Sequence, residues 1–328
     1  RLDPSRAVAA ATCRSYLADV NMIPDVTGFN FYPGWYRGEA DGMKATIDAA
    51  LAETPRQTIG VTEYGAGGNV DCHESAEVRN RTVCPFHSEE YQAWVHHGNY
   101  LTLKNDPRVW GTYVWLMFDF GADARREGSR YGLNDKGLVA FDHTTRKDAF
   151  HFYKANWNPE PALHLVGQRM MSTTNAAVTV MAFWNGEGDV TLRVNGETVG
   201  TVRPDDVKTA VWRSVPLKTG RNAIEVSAGG RTERATWAYR PQEYAEPPPR
   251  PTPDEWVFQK ELSAPEENPA PDVGVDPATG KPRTFWLKDR ISRCFFGPIK
   301  RAPFFRDELM DDVDYYPDEY LKRLKREG

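Results

Sequence analysis

The stretch Gln57-Thr58-Ile59-Gly60-Val61-Thr62-Glu63-Tyr64-Gly65-Ala66-Gly67-Gly68 leads from a β-branched apolar run straight into a carboxylate, an aromatic ring and a glycine-rich turn. That is how a buried parallel strand reads when it ends in a functional loop. In barrels of alternating strands and helices, catalytic groups stand where strands end, because the rigid strand aims the side chain while the following loop is free to vary. Glu63 is therefore the first candidate for a catalytic carboxylate, against the plainer use of a strand-end Glu as a cap or salt-bridge partner. Cys72-His73 and Cys84-Pro85-Phe86-His87 offer metal-ligand types, but their spacing fits no common zinc pattern and no metal site is expected. Asn80-Arg81-Thr82 is a formal glycosylation acceptor, a signal too common to act on.

The elements that must position Glu63 alternate through residues 1–157. Ala7 to Thr12 and Val26 to Tyr32 read as strands, the second stopped by Pro33-Gly34. Gly42 to Glu53 sets Met43, Ile47, Ala50 and Leu51 on one helical face. Ser88 to Leu103 reads as a helix with Ser88 as N-cap and Glu89-Glu90 in its first turn. Val109 to Phe120 is a nearly continuous apolar strand candidate, a loop with Arg125, Arg126 and Arg130 leads to Asn134-Asp135-Lys136-Gly137-Leu138-Val139, and Lys147 to Trp157 is an aromatic helix. Four strands alternating with helices predict parallel crossover units, half the number a closed eight-stranded barrel needs.

From 158 to 240 the rhythm changes. Val178 to Phe183, Val190 to Val194, Val199 to Val202, Ala210 to Trp212, Ala223 to Ser227 and Arg234 to Trp237 are short β-rich segments, with turns at Asn185-Gly186, Asn195-Gly196 and Gly229-Gly230. They predict an antiparallel β-sandwich. Residues 241–283 have linker composition, rich in proline and then polar. Residues 284–328 mix aromatics with dense charge and carry no motif; an extended segment that docks its aromatics on a neighbouring surface is the expectation.

The 328 residues, 40% hydrophobic and 12% aromatic, suffice for roughly two cored domains. A net charge of −5 with mixed signs points to neither a nucleic-acid nor a membrane partner, and the apolar runs are strand-sized. Cys13, Cys72, Cys84 and Cys294 are too few for a disulfide scaffold and leave the compartment open. Arg1-Leu2-Asp3-Pro4-Ser5-Arg6 reads like the middle of a fold, so the chain is expected to be a piece of something longer.

Gly28-Phe29-Asn30-Phe31-Tyr32-Pro33-Gly34-Trp35-Tyr36, then Thr62-Glu63-Tyr64-Gly65-Ala66, then Trp110-Gly111-Thr112-Tyr113-Val114-Trp115 with Phe118-Asp119-Phe120, then Asn134 to Val139 and Lys147-Asp148-Ala149-Phe150 occur in order over about 150 residues. Together they resemble the second half of the catalytic barrel of glycoside hydrolase family 2, with bacterial β-galactosidases nearest in flavour. The resemblance implies an α/β plus all-β chain: the fifth to eighth strands of a TIM barrel in 1–157, then an immunoglobulin-like sandwich in 158–240, whose Leu192 to Gly196 and Leu217 to Ile224 resemble the domain that follows the barrel in those enzymes. It implies Glu63 as nucleophile at the end of the seventh strand, Tyr32 as its hydrogen-bond donor, Asn30 lining the same pocket, and Trp35 and Trp115 among the sugar contacts, Trp115 giving the ring a flat apolar face.

The chemistry the resemblance implies is that of a retaining glycosidase, which needs a nucleophilic carboxylate and a second carboxyl about 5 Å away as acid and base. In the family that second group is a Glu after an Asn, and no Asn-Glu pair occurs in this sequence, so it is expected upstream. Without it the chain alone is expected to lose roughly 10²–10⁴-fold in rate. No cofactor is implied. The string Asn134 to Val139 favours a β-galactoside or related oligosaccharide; its Asn134-x-Lys136 form, with which related β-glucuronidases hold a sugar carboxylate, leaves a β-glucuronide as the alternative. The missing half-barrel is the expected protein partner, with a homo-oligomer open and a periplasmic or extracellular setting slightly favoured by the resemblance. A reading of another class is a non-catalytic fragment acting as an interaction module.

Overall fold

The computed structural model describes residues 5–13, 21, 23–54, 58–80, 82, 86–122, 125, 127, 132–170 and 172–241; Arg81, Cys84, Arg126, Arg130, Cys294, nearly all of the linker and the whole aromatic tail lie outside the described residues. Strands β1 (Ala9–Thr12), β2 (Val26–Asn30), β3 (Ile59–Tyr64) and β4 (Val109–Val114) form one parallel sheet in sequence order. Helix α1 (Met43–Glu53) connects β2 to β3 and helix α2 (Glu89–Leu103) connects β3 to β4. Parallel neighbours require such crossovers, and the order brings the carboxyl ends of all four strands to one rim. Ile59, Gly60 and Val61 are all buried, the continuous pattern of a strand covered on both faces.

The apolar run expected as one strand from Val109 to Phe120 is broken in two. β4 ends at Val114, Trp115 N still donates to Tyr64 O at 3.0 Å, and the chain then leaves the sheet. Leu116 N donates to Lys136 O, Leu138 N to Leu116 O and Asp119 N to Val139 O, so segment 116–120 pairs with 136–139 instead of extending the ladder. Short strands β5 (Phe120–Gly121) and β6 (Leu133–Asn134) close that excursion. The detour carries Asn134 and Lys136 to the rim where β3 ends.

Ser88 caps α2 as expected, its Oγ accepting from Tyr91 N at 3.4 Å. The helix is buried on nearly every side, because a second layer covers the face away from the sheet. That layer follows helix α3 (Asp148–Trp157) and comprises β7 (Leu163–Leu165), β8 (Ser172–Thr173), β9 (Ala177–Trp184), β10 (Val190–Val194), β11 (Glu197–Val202), β12 (Thr209–Pro216), β13 (Gly220–Ala228) and β14 (Arg231–Tyr239). They form a five-stranded sheet, β11-β10-β13-β14-β8, and a three-stranded one, β12-β9-β7. Asn195 and Gly196 both have positive φ, 54° and 86°, the primed turn that suits the twist of a tight hairpin between β10 and β11. β7 and β8 are absent from the sequence expectations because two or three residues carry no readable period.

Leu165, Val180, Leu192, Ile224, Val226 and Trp237 fill the space between these sheets. Phe152 of α3 shares a single core with Ile59 and Tyr64 on one side and Met181, Phe183 and Val207 on the other, so the two layers are packed together rather than tethered. No helix among the described residues is long and apolar enough to cross a membrane.

Candidate active site

Glu63 is the penultimate residue of β3, level with Asn30 at the end of β2 across a register irregularity. Tyr32, two residues beyond Asn30, donates its hydroxyl to Glu63 Oε2 at 2.7 Å. Thr62 Oγ1 donates to Asn30 Oδ1 at 3.0 Å, which fixes the amide so that its NH₂ serves the Glu63 carboxylate. Gly28 makes this possible. A Cβ there would lie 2.1 Å from Thr62 Cγ2, and Thr62 would be driven off Asn30.

Burial pushes the half-buried Glu63 carboxyl above its ordinary range; the hydrogen bonds from Tyr32 and Asn30, and the charges of Lys136 and Arg125, work against it. The Tyr32 hydroxyl is pushed well above the usual phenol range by burial first and by the Glu63 charge second, so it remains a donor. A carboxylate so held is aimed and poorly solvated, with two donors that favour its ionised form, which suits a nucleophile. Replacing Tyr32 with Phe removes a contact that favours the ionised form. The acidic limb of the rate profile therefore moves to higher pH, and the rate at low pH falls about tenfold, about one pKa unit. A pH–rate profile checks this; an unmoved limb contradicts it.

The turn 33–37 is pinned from below by α2: Tyr91 donates to Gly34 O at 2.5 Å, and Asn99 Nδ2 to Pro33 O at 3.1 Å and Ala40 O at 2.8 Å. It sets the Tyr36 ring edge-on to Tyr32, with centroids 5.1 Å apart. Trp35 points the other way. It is completely buried, its ring edge against His87 and its face 5.1 Å from Lys136 Nζ, so it backs a cation rather than presenting a surface to solvent. Trp115 is half-buried at the rim beside Phe120.

Lys136 is as buried as Trp35, and its ammonium is 5.3 Å from the Tyr36 ring centroid. Its partner is Glu127, at 2.6 Å. Arg125 Nη1 reaches the other oxygen of the same carboxylate at 2.6 Å, and Tyr36 OH donates to it at 3.4 Å. Burial opposes ionisation of Glu127, yet Lys136 and Arg125 outweigh it and hold the carboxyl below its usual range. A group held ionised in this way is unsuited to act as the general acid. Asn134 lies at the base of the cluster, its Oδ1 accepting from Lys136 N at 3.2 Å and its Nδ2 buried without a partner among the described residues. Arg125 figures in the sequence only as one of several loop arginines, and neither Glu127 nor Tyr36 stands out there as a site residue; no spacing signal links residues so far apart along the chain.

Beneath the rim, Lys147 is wholly buried and donates to Gly68 O at 2.6 Å, Asp119 Oδ1 at 2.7 Å and Asp135 O at 2.8 Å. Asp135 in turn pairs with His87 at 2.7 Å, and Gln92 Nε2 donates to Ala66 O and Gly137 O. One ammonium thus ties together the loop after Glu63, the 116–120 excursion and the loop of Lys136. His73 is engaged by Glu90 at 2.8 Å, and no group of three or more His, Cys, Asp or Glu among the described residues could hold a metal.

The chain's homologues are glycoside hydrolases of the β-glucuronidase and β-galactosidase kind. A β-glucuronidase of Bacteroides fragilis is 37% identical over 243 residues, 73% of this chain and 34% of the relative. Among solved structures, a Bacteroides fragilis protein provisionally named β-galactosidase is 30% identical with a TM-score of 0.65, over 72% of this chain and 36% of that one. The Bacteroides uniformis β-glucuronidase 2 covalently bound to cyclophellitol-6-carboxylate aziridine is 26% identical with a TM-score of 0.55, over 73% of this chain and 29% of that one. The chain spans about a third of the length of the curated relatives it matches. No protein-family model matches it.

Proposed function

We propose that this chain carries the nucleophile and the sugar-carboxylate site of a retaining β-glucuronidase. The observation that carries the proposal is the juxtaposition at one rim of Glu63, held by Tyr32, with the cationic pair Lys136 and Arg125, close enough that both charges bear on Glu63. A retaining glycosidase uses the first as nucleophile, and a uronic acid gives the second something to bind. The names of the relatives support the class, and a β-glucuronidase among them that is covalently bound to a carboxylate-bearing inhibitor supports the uronate over the neutral sugar. The preference drawn from the string Asn134 to Val139 for a galactoside becomes the second reading, favoured by the likeness to the provisional β-galactosidase.

In this proposal the four-stranded sheet is part of a TIM barrel within residues 1–157, residues 158–240 are an immunoglobulin-like sandwich, and residues 241–283 and 284–328 are a linker and a tail. Glu63 attacks the anomeric carbon while Tyr32 and Asn30 hold it; Trp115 offers a face to the sugar. The acid/base carboxyl is assigned to protein outside this sequence, which contains no Asn-Glu pair.

The test is a chimera in which this chain replaces the matching third of the Bacteroides fragilis β-glucuronidase. Lys136→Met is expected to lower kcat/KM for an aryl β-glucuronide by about 10²-fold, the loss of roughly 3 kcal/mol from a buried charge contact, and to leave the aryl β-glucoside rate within about threefold. Equal losses on both substrates, or a wild-type chimera faster on the galactoside, would favour the second reading.

A further inference from the structure

Lys136 cannot meet a substrate carboxylate as the chain stands. Its side chain is 1% exposed, with the Trp35 face on one side, the Tyr36 ring on another and the Glu127 carboxylate at 2.6 Å in front of the ammonium. The three donors that converge on Glu127, namely Lys136 Nζ, Arg125 Nη1 and Tyr36 OH, form a site for a planar, two-oxygen anion, and the Glu127 carboxylate sits in it with one oxygen toward each cation. Arg125 holds its place twice over, donating to Tyr36 OH at 3.2 Å as well as to Glu127. Tyr36 touches Tyr32, and Tyr32 holds Glu63, so the anion site is continuous with the nucleophile.

On the reading of the rim as a glucuronide site, we propose that Glu127 is a resident carboxylate that occupies the uronate position in the ligand-free protein, that the substrate carboxylate binds by displacing it, and that Arg125 then becomes, with Lys136, a determinant of specificity. Two physical consequences follow. A neutral sugar brings no anion to the two cations and leaves Glu127 in place, so its affinity does not depend on the resident carboxylate. The apparent affinity for the uronate, by contrast, is reduced by the fraction of time the site is vacant. The resident carboxylate thus keeps the two cations paired in the ligand-free protein at the expense of affinity for the uronate.

The experiment uses the full chain and two probes that differ only at C6, methyl β-D-glucuronide and methyl β-D-glucoside, titrated by tryptophan fluorescence against wild type, Glu127→Gln, Glu127→Asp and Arg125→Gln, with thermal melts as folding controls. Glu127→Gln is expected to tighten the glucuronide about tenfold, as for a site occupied nine-tenths of the time, and to leave the glucoside unchanged. Glu127→Asp, which keeps the charge but shortens the reach, falls between; Arg125→Gln weakens the glucuronide. A wild-type protein that prefers the glucuronide, with no tightening in a folded Glu127→Gln, overturns the displacement and leaves the uronate reading standing. No preference for the glucuronide in wild type or in Glu127→Gln overturns both. A preference that emerges only in Glu127→Gln supports the displacement most directly.

Discussion

Glu63→Gln is expected to lower turnover of an aryl β-glucuronide by at least about 10⁴-fold in the chimera described above, the scale on which removal of a covalent nucleophile acts. The substitution is close to isosteric, and the amide oxygen can still accept from the Tyr32 hydroxyl, so the rim keeps its shape and the loss is one of nucleophilicity. Exogenous azide distinguishes this from misfolding. In the shorter Glu63→Ala variant a small anion can enter the space the carboxylate vacates, and an α-glycosyl azide then accumulates from that variant and not from wild type. A Glu63→Gln chimera that keeps more than about a hundredth of the activity contradicts the role, because a positioning residue is worth only that much.

The largest expected effect on stability belongs to Lys147. Its replacement by Met leaves Asp119 and two carbonyl oxygens buried without their cation and is expected to cost about 3–5 kcal/mol, as for any buried pair broken from one side. Burial already pushes the Asp119 carboxyl up to about 6, with Lys147 the strongest opposing influence. Without that influence the folded-state carboxyl is pushed further above the 3.8 of the unfolded chain. The unfolded Asp119 has lost its proton by about pH 5 while the folded one keeps it, so the variant goes on losing stability as pH rises past 6 until the folded carboxyl ionises. Urea unfolding at pH 5 and pH 8 measures this. A variant equally stable at both, and within 1 kcal/mol of wild type, would show that the ammonium is not what ties the three loops.

Glu63 was legible in the sequence because strand ends announce themselves: an apolar run leads straight into it. Asn30 and Tyr32 were singled out by the family resemblance rather than by any local pattern, and the structure brings those three side chains together. Ser88 as N-cap was legible for the same reason: local hydrogen bonding needs only local residues. The break of the 109–120 run was not. Its apolar residues suit a strand throughout, and only the competing ladder with 136–139, invisible to any local pattern, diverts the chain after Val114. Trp35, which the resemblance places among the sugar contacts, is buried under Lys136, one hundred and one residues further along the chain, a packing no local pattern displays. Glu127 was illegible because a single acid in a loop acquires meaning only from the two cations the fold brings to it.

Glu63 is expected to form a covalent bond with a uronate-configured electrophile. The measurement is intact mass spectrometry, with peptide mapping, of the chimera and of this chain after exposure to cyclophellitol-6-carboxylate aziridine, beside the neutral galacto-configured aziridine. The account predicts one adduct on the chimera, mapped to Glu63, absent in Glu63→Gln, and faster with the carboxylate probe than with the neutral one. An adduct on any other residue, or faster labelling by the galacto-configured probe, would contradict it.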